Sequence, residues 1–84
     1  MSYTQNRFNY DTKFDVLYYS IGDTSNSYGD EVDDRLILLR DINTDDVTGI
    51  TVLDFIKYCM RNDSIVNTIS KYVNVENILN EINN

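Results

Sequence analysis

The side chains in this chain that could do chemistry are mostly carboxylates. Asp and Glu together number 14, against 7 Lys and Arg, one Cys and no His. Without histidine the sequence holds neither a Ser-His-Asp triad nor a Cys-His pair, and it lacks a plausible zinc ligand set. The single Cys59 lies among apolar neighbours, which predicts a small buried hydrophobic residue rather than a nucleophile. We therefore predict a protein that is not an enzyme and has no catalytic residue and no cofactor.

Two uses of the carboxylates themselves are disfavoured. Paired carboxylates cleave glycosidic bonds, but a domain of 84 residues can hardly frame the cleft that such an enzyme needs. Residues 23–34 alternate oxygen-bearing side chains as a calcium loop does. Tyr28, however, stands where that loop has its glycine, and Asp34 where it has its glutamate. A solvated loop without metal is the prediction.

The acidic balance favours binding to a basic protein. A net charge of −7 repels nucleic acid phosphates, so direct nucleic-acid binding is not expected, and it attracts basic protein surfaces. The alternative is that these charges only keep the protein soluble and protect strand edges. The candidate partner-binding residues are Asp23, Asp30, Glu31, Asp33, Asp34, Asp41, Asp45 and Asp46.

A small antiparallel sheet is predicted to position these residues. Runs of β-branched and aromatic residues predict strands at residues 8–11, 16–21, 35–42 and 47–53. The segment between the second and third strands, residues 22–34, is rich in Gly, Ser and acidic residues, which predicts a loop. The result is a meander of three to four strands.

The spacing of apolar residues changes to a helical period after Asp54. Asp54, Asn62 or Asp63, and Asn74 are candidate caps of short helices. Two apolar helix faces are predicted, Ile65, Ile69, Tyr72 and Val73 on one and Val75, Ile78, Leu79 and Ile82 on the other. The predicted fold is α+β in a single domain, residues 1–84, with a β-meander at 8–54 and two or three C-terminal helices, within 55–84, packed on one face.

The third predicted strand is apolar on both faces, because residues 36–39 are consecutive Leu and Ile residues. One layer of helices covers only one face of a sheet, so the other face is a candidate surface for a homodimer or a partner. Tyr18, Ile37 and Leu39 are its candidate residues. The alternative is that the helices wrap both faces.

Several residues follow the pattern of a bacterial family, namely Tyr10-Asp11, Asp15, Val16-Leu17-Tyr18, Glu31-Val32, Asp41 and Gly49-Ile50. With them, residues 8–55 resemble Domain of unknown function 2283, whose members run Y-D-x-x-x-D-x-L-Y-I, an E-V pair, an apolar strand, an acidic turn and G-I-E-I-L. The chain departs from that pattern at Thr51 and at Arg35-Leu36. The resemblance implies a small β-meander without catalytic residues. Some members look like partners of small toxins by gene arrangement.

The remaining signals concern origin and location. No apolar run is long enough to cross a membrane and no signal-peptide pattern opens the chain, which predicts a cytoplasmic protein. Frequent Asn, Ile and Tyr without Ala or Pro indicate AT-rich coding, as in a low-GC bacterium or its mobile elements. The predicted function is inhibition of a basic, nucleic-acid-handling enzyme or toxin, by a phage-type anti-defence inhibitor such as an anti-CRISPR or by an antitoxin. A self-associating structural or regulatory domain is the alternative.

Overall fold

A computed structural model of the chain describes residues 2–4, 8–61 and 63–82. An antiparallel sheet is followed by three helices, which confirms the predicted α+β class, and the sheet has more strands than predicted. The strands are β1 (Ser2–Thr4), β2 (Phe8–Asp11), β3 (Val16–Ser20), β4 (Ser27–Asp33), β5 (Leu36–Asp41) and β6 (Val47–Leu53). The helices are α1 (Phe55–Met60), α2 (Ile65–Ile69) and α3 (Val75–Ile82).

The two additional strands lie where the sequence predicts no element. β4 runs through the predicted loop at residues 22–34, so that loop prediction was wrong. Its acidic residues and glycine have poor intrinsic strand preference, but pairing with the strongly apolar β5 overrides that preference. β1 pairs with β2 in the same way. Both extra strands form the outer edges of the sheet, where only one side has to be paired.

The sheet consists of two meanders, β1–β2–β3 and β4–β5–β6, and all pairs are antiparallel. They join through β3 and β6, which gives the order β1-β2-β3-β6-β5-β4. The chain therefore crosses from β3, in the middle of the sheet, to β4 at its far edge through residues 21–26. This connection makes the acidic segment an edge strand.

The helices cover one face of the sheet, as predicted. The core combines Leu17, Leu36 and Ile50 from the strands with Phe55 and Ile69 from the helices, all fully buried. The predicted apolar face of the third helix is confirmed, because its residues are buried or pack against this core. The second helix is shorter than predicted: α2 ends at Ile69, and Tyr72 and Val73 reach the same core from the turn that follows it. The alternative in which the helices wrap both faces does not hold for the described residues, since the core cluster draws on one face alone.

The start of α1 is capped from a distant turn. Asp15, between β2 and β3, accepts hydrogen bonds from the backbone N–H of Ile56 at 2.8 Å and of Lys57 at 3.1 Å. The carboxylate thus satisfies free donors at the positive end of the helix. Asp54, the predicted cap, directly precedes α1 but its side chain makes no capping bond. The cap is therefore supplied from 41 residues earlier in the chain.

Tyr10 completes this junction between sheet and helix. Its hydroxyl donates to Oδ1 of Asp15 at 2.5 Å, and its ring contacts the ring of Phe55 edge-on. Burial, followed by the hydrogen bond to Asp15, raises the pKa of the Tyr10 phenol above its ordinary value. The hydroxyl therefore stays protonated and remains a donor at neutral pH.

The other two predicted caps have different outcomes. Asn74 caps α3 as predicted, because its Oδ1 accepts the backbone N–H of Asn77 at 3.0 Å. Ahead of α2, Asn62 lies outside the described residues. The carboxylate of Asp63 accepts the N–H of Ile65 at 3.2 Å, although Ser64 is the residue next to the helix.

Gly49 in β6 has no room for a side chain. A Cβ atom there would lie 2.7 Å from the carbonyl oxygen of Tyr19 and 3.2 Å from a methyl carbon of Leu39. Because the oxygen belongs to the backbone of the paired strand β3, relief requires a shift of that strand. We expect Gly49→Ala to lower the free energy of unfolding by about 1–3 kcal/mol, the usual cost of overpacking.

Urea unfolding followed by circular dichroism measures this change. Gly22→Ala is the matched control, since a Cβ at Gly22 meets nothing within 4 Å. The control should unfold within about 0.5 kcal/mol of the wild type. Equal unfolding midpoints for the two variants would show that β3 and β6 can separate locally without cost.

Candidate functional site

The eight predicted partner-binding carboxylates lie along one margin of the sheet. Three belong to the edge strand β4, Asp41 is the last residue of β5, and the others lie in the connections that enter and leave these two strands. We call this set the acidic margin. It comprises Asp23, Asp30, Glu31, Asp33, Asp34, Asp41, Asp45 and Asp46.

The register between β4 and β5 determines where the carboxylates of the acidic margin lie along the edge of the sheet. Ser27 pairs with Asp41 at one end of the β4–β5 hairpin, and Asp33 pairs with Leu36 at the other. The seven residues of β4 cover roughly 20 Å at the usual rise of a strand. The connection at residues 21–26 is held to the first end, because the N–H of Ile42 donates to the carbonyl of Asn26 at 2.9 Å. The carboxylates thus share one margin of the sheet but do not converge in one pocket.

Three of these carboxylates also stabilise turns. Asp23 accepts the backbone N–H of Ser25 at 2.9 Å, and Asp33 that of Arg35 at 3.2 Å. Asp41 accepts the backbone N–H groups of Asn43 at 2.8 Å and of Thr44 at 3.1 Å. The hydrogen bond from Ser25 lowers the pKa of Asp23. Each of the three therefore has a role in the fold, in addition to the charge that it contributes.

Two further carboxylates are engaged through Arg40 and Tyr28, which the sequence did not single out. Nε of Arg40 donates to Asp30 at 3.0 Å, and Nη1 donates to the carbonyl of Asp45 at 3.0 Å. The hydroxyl of Tyr28 donates to Oδ1 of Asp45 at 2.6 Å. The hydrogen bond to Asp30 raises the pKa of Arg40, and that to Asp45 raises the pKa of Tyr28. Asp30 is consequently the carboxylate whose charge is most directly compensated.

The other three carboxylates are the most available to a partner. The side chain of Asp34 is 95% exposed, and its nearest cation, Nη1 of Arg35, is 3.9 Å away. Within the described residues, the carboxylates of Glu31 and Asp46 make no hydrogen bond or ion pair, and both residues are exposed. Glu31, Asp34 and Asp46 can therefore be replaced without removing a contact that holds the fold.

The acidic margin continues onto the face of the sheet that the helices leave open. Glu31 pairs with Ile37, which pairs with Thr51, which pairs with Tyr18, so these four side chains share one row on that face. Asp30 pairs with the buried Leu38 and so lies on the helix-covered face. The two neighbouring acidic residues of β4 thus lie on opposite faces.

The predicted dimer or partner residues lie on this open face. Tyr18 is 47% exposed, while Ile37 and Leu39 are half-buried by their neighbours in the sheet. Tyr18 and Ile37 flank Thr51 in one row, and Leu39 lies in the next row, opposite Gly49. The structure therefore brings the three together as an uncovered apolar strip, which we call the open face.

Two further features of the sequence, the calcium-like segment and Cys59, have defined places in the fold. In the part of the chain that the structure describes, no three His, Cys, Asp or Glu residues are grouped to hold a metal ion. β4 distributes the second half of the calcium-like segment over both faces of the sheet. Cys59, predicted to be buried, is only partly buried and packs against the core. Its partial burial, followed by the charge of Asp15, raises the pKa of the thiol.

No protein-family model, curated protein or solved structure matches this chain. The resemblance to Domain of unknown function 2283 therefore stays a prediction. Of the helices that the structure describes, none is both long and apolar enough to cross a membrane.

Proposed function

We propose that this protein is a non-enzymatic acidic binding module of the cytoplasm that neutralises a basic, nucleic-acid-handling protein. The observation that carries the proposal is the acidic margin, which presents carboxylates over roughly 20 Å of strand edge. A phage-type inhibitor of a defence nuclease, such as an anti-CRISPR, and an antitoxin are both proteins of this class.

The physical basis is competition with nucleic acid for a basic groove. A protein that handles nucleic acid uses Lys and Arg to neutralise phosphates, and its affinity falls steeply with salt. Fixed carboxylates along a strand edge offer the same sign of charge without a flexible backbone. Long-range attraction between the two surfaces accelerates their encounter. Binding should therefore be tight at low salt and sensitive to added salt.

Capture of a partner tests this proposal. Tagged protein is incubated with lysate of a low-GC bacterium, the column is eluted with stepped salt, and the eluted proteins are identified by mass spectrometry. The affinity of the purified partner is then measured at low and high salt by titration calorimetry. A basic nucleic-acid enzyme or toxin, released at moderate salt, is the expected result.

A pair of variants with equal net charge separates the acidic margin from overall charge. Glu31→Lys with Asp46→Lys reverses two available carboxylates of the margin. Glu76→Lys with Glu81→Lys reverses two exposed residues on α3. Each reversal adds two charges, so both variants move from −7 to −3. The margin variant should bind the partner at least about tenfold more weakly, a loss of roughly 1.4 kcal/mol, and the α3 variant should bind nearly as the wild type does. Equal losses in the two variants would contradict a specific role of the margin.

A second candidate function, self-association, is favoured by the exposure of Tyr18, which lies in the same row of the open face as Ile37. Burial of these side chains between two copies would stabilise a small domain. Light scattering over a range of concentrations should then show a mass that rises toward a dimer, and Leu39→Asp should abolish the rise. A constant monomer mass would remove this candidate.

A further inference from the structure

The outer edge of β4 is free of a neighbouring strand in the part of the chain that the structure describes. The N–H of Ile42 donates to the carbonyl of Asn26, so this pair is a hydrogen-bonded pair of the β4–β5 ladder. Hydrogen-bonded pairs alternate with non-hydrogen-bonded pairs along antiparallel strands. The next hydrogen-bonded pairs are therefore Tyr28 with Arg40 and Asp30 with Leu38. The backbone N–H and C=O groups of Ser27, Gly29 and Glu31 therefore point away from β5.

The other side of β5 supports this assignment. The N–H of Asp41 donates to the carbonyl of Asp46 at 2.8 Å, so Asp41 bonds toward the β6 side. The residues of β5 that bond to β6 then alternate with those that bond to β4, as a continuous sheet requires. A row of unpaired backbone donors and acceptors is a template for a further strand.

Charge decides which kind of strand fits this edge. A second copy of β4 would bring three more carboxylates and no Lys or Arg to this edge, so it would concentrate like charge along the strand pair instead of compensating it. A strand with Lys or Arg at alternate positions instead places cations beside Glu31 on the open face. Among the described residues, Glu31 has no cation partner of its own chain.

Two local features fit the approach of another backbone. Gly29 lies in the middle of the outward-facing residues, and a glycine inside a strand often marks a place where another chain comes close. A groove of about 320 Å³ lies between the end of β4 and α2, lined in part by Val32, Tyr58 and Thr68.

We infer that the partner adds a basic strand to the outer edge of β4, antiparallel and centred on Gly29. Main-chain hydrogen bonds to Ser27, Gly29 and Glu31 give affinity, and cationic side chains facing the acidic margin give selectivity. The irregularity between Glu31 and Asp33 ends the regular part of the edge and so limits the length of the added strand. This inference rests on the proposed function, since both require a basic protein partner.

The test uses a short synthetic peptide of alternating Lys and Val and the same peptide with N-methyl groups along its backbone. The two carry equal charge, but the methylated peptide cannot donate main-chain hydrogen bonds. Fluorescence anisotropy at low salt should show that the unmethylated peptide binds at least about tenfold more tightly. A peptide of alternating Glu and Val should not bind.

Substitutions of Gly29 test the protein side of the same contact. Gly29→Pro removes an outward-facing N–H and leaves the bonds to β5 in place, a position where edge strands tolerate proline. Gly29→Ala keeps the N–H and is the matched control. The proline variant should bind the unmethylated peptide about tenfold more weakly than the alanine variant does. Circular dichroism is used to check that both variants are folded. If the proline variant is unfolded, the comparison of the unmethylated and methylated peptides on the wild-type protein decides whether a strand is added.

The outcomes separate this inference from the proposed function. Equal affinity of the two Lys-Val peptides would overturn strand addition and leave charge attraction intact. If neither Lys-Val peptide binds at low salt, strand addition is also overturned. The proposed function is tested separately, by capture of a partner and by the variant that reverses Glu31 and Asp46. A dimer that forms without peptide and is abolished by Gly29→Pro would show that the occupant is a second copy, against the charge argument.

Discussion

Phe55→Ala is expected to lower the free energy of unfolding by about 3–5 kcal/mol, enough to unfold much of the population of a small domain. Phe55 is completely buried at the start of α1, where the helical layer meets the sheet. Its ring lies 6.2 Å from that of Tyr10 in an edge-on contact. Alanine would leave a cavity between the two layers, and the rigid strands beneath it cannot close that cavity.

Met60→Ala, in the same helix, provides the matched control. Met60 is 82% exposed, so its truncation should change the stability by no more than about 0.5 kcal/mol. Urea unfolding curves of the two variants and the wild type, followed by far-ultraviolet circular dichroism, measure the difference. If both variants unfold at the same urea concentration, α1 is not packed on the sheet as described.

Asp15→Ala is expected to cost about 2–4 kcal/mol. The change removes the acceptor for two N–H groups of α1 and the acceptor for the hydroxyl of Tyr10. A helix cap is worth about 0.5–2 kcal/mol, and a lost partner for a buried polar group costs about 1–3 kcal/mol. Asp15 also adopts a left-handed backbone conformation, with φ of 57°, which alanine adopts less readily.

Asp15→Asn distinguishes these contributions. Asparagine tolerates the left-handed conformation and keeps one oxygen acceptor, so the loss should be about half that of the alanine variant. Thermal unfolding is a suitable second measurement, because 1 kcal/mol shifts the midpoint by roughly 4–8 °C in a domain of this size. Unchanged midpoints for both variants would show that the carboxylate does not stabilise the junction.

The elements that could be predicted from sequence are those whose signal is local. The second and third helices follow from apolar residues at helical spacing, and Asn74 sits one turn before a backbone N–H that needs an acceptor. β2, β3, β5 and β6 follow from β-branched and aromatic runs. In each of these helices and strands, the apolar pattern that predicts the element lies within the residues that form it or directly beside them.

The elements that could not be predicted depend on pairing across the chain. β4 lacks an apolar pattern because it is an edge strand with little to bury, and its strand conformation comes from β5. The cap of α1 comes from Asp15, 41 residues away, whereas Asp54 is the obvious choice in sequence. Contacts of this kind exist only once the fold is known.

The residues of the candidate site also fall into those with a local signal in the sequence and those that depend on strand pairing. The carboxylates of the acidic margin could be predicted from composition and spacing. The turn roles of Asp23, Asp33 and Asp41 were not predicted, although Asp commonly accepts the backbone N–H two residues further on, as all three do. The pairing of Asp30 with Arg40 was not readable, because it depends on the register of β4 against β5.

The joining of β3 to β6 also has a consequence for protein synthesis. Leu17 emerges from the ribosome early, but Val52, its partner on β6, and Ile78, which closes the same core, follow much later. The first three strands therefore emerge with an uncovered apolar face and an unpaired central edge. Such nascent chains are prone to aggregate and bind chaperones. The sheet cannot close before β6, which ends at Leu53, has been made, and its apolar face stays uncovered until the helices follow.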